Sequence, residues 1–178
     1  MYKDASELMS QCKEQNKRIW QIAVENEMKL TSSSYEDILS RFDDRLEIMF
    51  HSAQKALNAK QATKGGLIDG VAKTQYDYSK KENISGRYIN YVMSLAYSCS
   101  EVNASMGKIC ASPTAGSCGI VPAVLLGLSQ AKNISREKTL EGLITASAVG
   151  AIYTKNATVA GADGGCQAEC GVARSMAA

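Results

Sequence analysis

Proline is nearly missing from this chain: Pro113 and Pro122 are the two that occur in 178 residues. Regular alternation of β-branched residues is scarce as well, so helical periodicity dominates and the fold class reads as all-α. Histidine is reduced to His51, and no Cys-x-x-Cys pair is present, so a closed four-ligand zinc module has too few donors. No apolar run reaches the ~20 residues needed to span a bilayer, which argues against a membrane protein. The start, Tyr2-Lys3-Asp4-Ala5-Ser6-Glu7, lacks the charged-then-apolar order of a secretion signal, so the cytoplasm is the expected location. The formal charge is +2, spread over both signs with no basic stripe interleaved with aromatics, and nucleic acid is not an expected partner.

What is present is a 45% apolar composition, enough for one domain with a substantial core. Without an export signal, the six cysteines read as reduced thiols, some of them free to bind metal. Residues 1–60 read as an N-terminal helical region. Ala5 to Leu30 holds one helix or a pair, with Ile19, Ile22 and Ala23 as apolar points. Ser33 and Glu36 have capping-box spacing ahead of an amphipathic run through Ile38, Leu39, Phe42, Leu46, Met49, Phe50, Ala53 and Leu57. The two segments suit an antiparallel hairpin. His51 on that run reads as structural.

Residues 61–178 read as a second region. Gly65, Gly66 and Gly70 mark a loop, a short helix is expected over Lys73 to Lys81, and a longer one over Gly86 to Glu101. From Asn103 to Gly119 the chain turns small and polar, unlike a buried helix. Helices are then expected from Ile120 to Ala131, with Pro122 near the start, and from a cap at Ser135 onward. A second small-residue loop, Asn156 to Gly165, leads to Cys166 and a helix over Gln167 to Ala178. Thus one local design occurs twice: a glycine-rich loop that delivers a cysteine, Cys118 or Cys166, to a helix start. The last residues carry no glycine, asparagine or basic last turn to stop that helix, so the fold is expected to be incomplete at the C-terminus.

A thiolate at a helix N-terminus is favoured by the dipole and the free amides, which suits it to metal or sulfide clusters. Nearby glycines let the backbone approach such a group, and their N–H groups can reach cluster sulfurs or a carboxylate. The competing reading is that both loops simply turn the chain and both thiols are small core residues. Cys12 and Cys99 lie within helical patterns and, with Cys110, read as packing residues.

The order of two long motifs is more specific. Asn103-Ala104-Ser105-Met106-Gly107-Lys108 precedes Pro113-Thr114-Ala115-Gly116-Ser117-Cys118-Gly119-Ile120-Val121-Pro122; then comes Lys155-Asn156-Ala157 with Gly161-Ala162-Asp163-Gly164-Gly165-Cys166-Gln167-Ala168-Glu169. In this arrangement the chain resembles the α chain of the bacterial two-subunit iron–sulfur L-serine dehydratases, with weaker similarity over the N-terminal helices. The resemblance implies a helical fold holding a [4Fe-4S] cluster on three cysteines, with one iron left open for substrate. Cys118 and Cys166 match two of those ligands; the third belongs to a later Cys-Asp-Pro segment of the family pattern, beyond Ala178.

The implied reaction converts L-serine to pyruvate and ammonia: a base takes the Cα proton, the hydroxyl leaves, and the aminoacrylate formed goes on to products. Lys155 and Glu169 are the candidate bases. For Lys155 the alternative is a carboxylate anchor or a helix C-terminal charge, and for Glu169 a first-turn charge. Asn103, Ser105, Thr114, Asn156 and Gln167 are candidate hydrogen-bonding groups to substrate or cluster, with capping and loop closure as the alternative. The expected partners are L-serine, a β chain or the remaining α segment, and self-association is a further way to cover the last helix. The sequence departs from the family pattern at Asp163 (usually Glu), Cys170 (usually apolar) and Arg174 (usually small). Cys170 shares a helical face with Cys166 and is placed to approach a cluster. A truncated, non-catalytic, partner-binding remnant is the alternative to an enzyme.

Overall fold

The computed structural model describes residues 2–178, and the regular structure in them is entirely helical. In chain order the helices are α1 (Ala5–Gln15), α2 (Ile19–Thr31), α3 (Tyr35–Asn58), α4 (Val71–Ser79), α5 (Arg87–Ala104), α6 (Ile120–Lys132), α7 (Arg136–Asn156) and α8 (Gly161–Ala177). The all-α expectation therefore holds. No described helix is long and apolar enough to cross a membrane.

Local signals explain most boundaries. Asp4 caps α1 by accepting from the Glu7 amide, and Asn16, in the left-handed region, ends it, so the Ala5 to Leu30 stretch is a pair of helices. The capping box of α3 is one residue later than the sequence spacing predicts. Ser34 accepts from the Asp37 amide at 3.1 Å, and Asp37 accepts from the Ser34 amide at 3.3 Å. Three serines in a row offer equivalent caps, and the register of the buried face (Ile38, Leu46, Met49, Ala53, Leu57) selects among them. Ser135 caps α7 as expected.

Helix α3 is the spine. Its Ala53 and Leu57 pack with Leu95 and Cys99 of α5 and with Cys118, Ala123 and Leu126 at the start of α6. One turn back, Leu46 and Met49 meet Val121 of α6 and Leu143 and Ala146 of α7, with Met176 of α8 against them. Ile38 joins Val24 of α2 and Ile144 of α7. These clusters draw on residues from both sides of residue 60. Helix α4 leans on α5, and α8 lies against α6 and α7.

The loop between α3 and α4 is held by a group the sequence does not advertise. Glu101, fully buried on α5, accepts from the amides of Gln61 at 2.8 Å, Gly70 at 2.9 Å and Ala72 at 3.1 Å. Helix α4 has no side-chain cap of its own, so Glu101 satisfies its first amides from a neighbouring helix. The three N–H donors, two on Oε1 and one on Oε2, replace much of the water that the buried carboxylate gives up.

Candidate active site

The first cysteine loop begins where α5 ends. Asn103, expected in the loop, lies in the last turn of α5, and its Nδ2 donates to the Ala115 carbonyl at 3.2 Å. Ser105 Oγ donates back to Val102 O at 2.9 Å, and the Gly107 amide donates to the same carbonyl at 2.8 Å. Met106 takes a positive φ of 61° between them. Farther on, Thr114 Oγ1 and Ser117 Oγ are 3.2 Å apart, and Ser117 Oγ donates to Ser112 O at 3.2 Å. Asn103, Ser105 and Thr114 thus each make a bond within this loop.

Gly119 explains how the loop reaches the core. A Cβ there would sit 2.5 Å from the Ala96 carbonyl oxygen of α5, so only glycine lets the two backbones touch. That approach carries Cys118 inward: it is 2% exposed, and its Sγ–H points to the Cys99 carbonyl at 3.9 Å. Burial pushes the Cys118 thiol up to about 11 and the Cys99 thiol behind it up to about 12. Cys110, half-buried, is shifted upward for the same reason.

The second loop is built differently. Asn156 Nδ2 donates to Lys3 O and Ile152 O, both at 2.8 Å, so Asn156 pins the end of α7 to the N-terminal segment. Helix α8 starts at Gly161, earlier than the sequence predicts, but Gly165 breaks it with φ 73° and ψ 175°. The helix beyond the break starts anew at Cys166, as the glycine pattern implies. Cys166 is exposed, and its Sγ lies 3.8 Å from that of Cys170 one turn on. That contact, ahead of burial, raises the Cys170 thiol. Gln167 is exposed.

Glu169 connects the loops. A Cβ on Gly116 would meet its Oε2 at 2.8 Å, and one on Gly161 would meet its Cδ at 2.9 Å, so the carboxylate lies against both glycines. Lys155 faces elsewhere: it lines a cavity with Tyr2, Asn26, Glu27 and Thr154. Sequence reading missed a cleft of about 380 Å³ behind the first loop, lined by Arg41, Arg45, Cys110, Ser112 and Ser147 among others. The lining also includes Glu27, and Arg45 donates from Nη1 to the Arg41 carbonyl at 2.9 Å. No local pattern singles out Arg41 or Arg45, because the 110–113 segment that lines the cleft with them lies far along the chain.

The model of the family described as serine dehydratase alpha chain matches residues 14–178. The chain belongs to that family. It is 42% identical over 179 residues to the L-serine dehydratase alpha chain of Peptoniphilus asaccharolyticus, an alignment that covers 100% of this chain and 61% of that one. It is 38% identical to the probable L-serine dehydratase alpha chain of Bacillus subtilis (strain 168), covering 100% and 59% respectively. Against L-serine dehydratase 1 of Escherichia coli (strain K12) identity is 32%, over 99% of this chain and 40% of that protein. The chain thus spans about three-fifths of the length of the first two relatives.

In this serine dehydratase alpha chain family member, the described residues by themselves do not gather three donors for a cluster. No three His, Cys, Asp or Glu side chains gather among the described residues in a way that could hold a metal. Cys118 faces the core and Cys166 faces solvent, paired with Cys170.

Proposed function

We propose that this chain supplies part of the active site of an L-serine ammonia-lyase, the cytoplasmic conversion of L-serine to pyruvate and ammonia. The observation that carries the reading is the placement of Glu169 against Gly116 and Gly161, which joins the two family-motif loops at one carboxylate. Family membership supports the same reaction class. Glu169 is the better base than Lys155, because its oxygens stand at the glycine-lined edge of both loops where substrate backbone atoms can approach. In the elimination it takes the Cα proton of serine as the hydroxyl leaves. Asn103, Thr114, Asn156 and Gln167 border the same loops and are the proposed polar contacts, with Ser105 holding the end of α5.

The [4Fe-4S] cluster implied by the resemblance is assigned Cys118 and Cys166 as two ligands. The third thiol, and the rearrangement that turns Cys118 outward, come from polypeptide outside these residues: more α chain, a β chain, or a second copy. The alternative reading is a helical partner-binding piece without catalysis.

The test is anaerobic treatment with iron and sulfide, with and without the α segment and β chain of a relative, followed by serine-dependent pyruvate formation. Pyruvate formation that falls at least about 100-fold in Glu169→Gln, with the visible absorption of the cluster and KM unchanged, supports the assignment. Wild-type kcat in Glu169→Gln removes Glu169 as base. No pyruvate in any mixture leaves the partner-binding reading in its place.

A further inference from the structure

A helix leaves its last carbonyls without partners in its own ladder, and α5 meets that need in two ways. The carbonyls of Glu101, Val102 and Asn103 accept from the amides of Ser105, Gly107 and Met106, in the chain that follows directly. The Ala104 carbonyl accepts instead from the Lys64 amide at 2.9 Å, in the loop between α3 and α4. That loop contains no regular structure, and two carboxylates give it its shape. Asp69 closes it from within: its Oδ1 accepts from the Thr63 amide at 2.9 Å and from the Thr63 hydroxyl, and Lys60 Nζ lies 3.7 Å from its Oδ2. Glu101 holds it from the core side, through the amides of Gln61, Gly70 and Ala72. Thus α5 anchors, through Glu101, the loop that caps its own last turn. Asn103 lies between these two attachments and donates from Nδ2 to the Ala115 carbonyl at 3.2 Å, so the placement of that turn passes on to the first cysteine loop.

From this series of contacts we infer that Glu101 is a positioning residue for the first cysteine loop: by way of the α3–α4 loop it fixes the end of α5, and with it Asn103 and the path of the chain to Cys118. Glu101 is fully buried, out of reach of any substrate. An apolar side chain at this place would avoid the cost of burying a charge, but it would leave the loop amides without acceptors and the loop without its anchor. What the positioned loop serves rests on the lyase reading above; the link from Glu101 to the loop does not.

The test is thiol protection in the whole chain, reduced and kept anaerobic, read by timed alkylation and peptide mass mapping. Cys118 reports on the first loop. Cys12, buried in the separate cluster of Tyr2, Leu8 and Ile22, reports on global opening. In Glu101→Gln, which keeps an acceptor for Gln61 and Gly70 and loses the one for Ala72, Cys118 is expected to label at least about 10-fold faster while the Cys12 rate stays at that of the parent. A carboxylate that merely stabilised the fold would speed both thiols together when replaced. Asp69→Ala loosens the same loop from its outer side without touching α5, and it is expected to reproduce the selective exposure; it decides the matter should Glu101→Gln fail to fold. Parental protection of Cys118 in either folded variant, or a Cys12 rate that rises in step with that of Cys118, overturns the assignment. Neither readout uses pyruvate formation, so failure of the lyase reading and failure of this link are separate results.

Discussion

The two cysteine loops start from one local recipe and end in opposite environments. In each, glycines and small residues lead a cysteine to the start of a helix. The first loop meets α5 at Gly119 and drives Cys118 into the cluster of Leu95, Cys99 and Leu126. The second meets no such wall: Gly165 has open space around its missing Cβ, and Cys166 stays at the surface. What a motif presents therefore depends on what packs behind it. The glycine of the first loop is required by close approach, and that of the second by backbone conformation.

The sharpest way to break this contrast is thiol reactivity. With its pKa pushed up to about 11, Cys118 is roughly 0.1% thiolate at pH 8, and burial restricts access further. Alkylation followed by peptide mass mapping is expected to label exposed Cys166 well before Cys118, which is buried and held above its ordinary pKa. Comparable rates would mean that the first loop opens freely.

Next in size is the glycine pair. Gly119→Ala forces a Cβ into the Ala96 carbonyl and is expected to lower stability by about 3 kcal/mol. Gly165→Ala meets no atom but keeps a conformation reserved for glycine, and about 1.5 kcal/mol is expected. Urea midpoints of the two variants decide the matter, and a reversed order would remove the distinction between approach and conformation.

The third effect is alkaline. Cys99 and Cys118 have folded pKa values raised above the ordinary 9.0, to about 12 and about 11. The unfolded chain therefore loses these protons first as pH rises, so their contribution is complete below pH 9 and is lost through about 11 and 12. A fall of roughly 2 kcal/mol between pH 9 and about pH 10 is expected from the two thiols. A Cys99→Ala, Cys118→Ala double variant should flatten that slope, and an unchanged slope would assign it to other groups.

Much of this was legible in the residues. The period of α3, the glycine-marked loop before α4, the start of α6 near Pro122 and the Ser135 cap of α7 follow from patterns within a few positions of each boundary. The Ser33 expectation missed by one residue because the competing serines differ only in how they register α3 against α2 and α7. Helix α8 was expected to begin after Gly165, and it begins at Gly161, because the small residues before the break still hydrogen-bond helically: the Gly164 amide donates to Ala160 O at 3.0 Å. Glu101 was invisible as an anchor, since its partners at Gln61, Gly70 and Ala72 lie about 30 to 40 positions away.

Sequence by itself determined the helical class, the family, and the two loops that present cysteines, because periodicity, capping and motif order are properties of neighbouring residues. Tertiary structure alone decided that Cys118 points inward, that Cys166 pairs with Cys170, and that Glu169 lies against both loops. Those outcomes depend on distances between segments far apart in the chain, set by how α5, α6 and α8 exclude water from one another, and no local pattern encodes such distances.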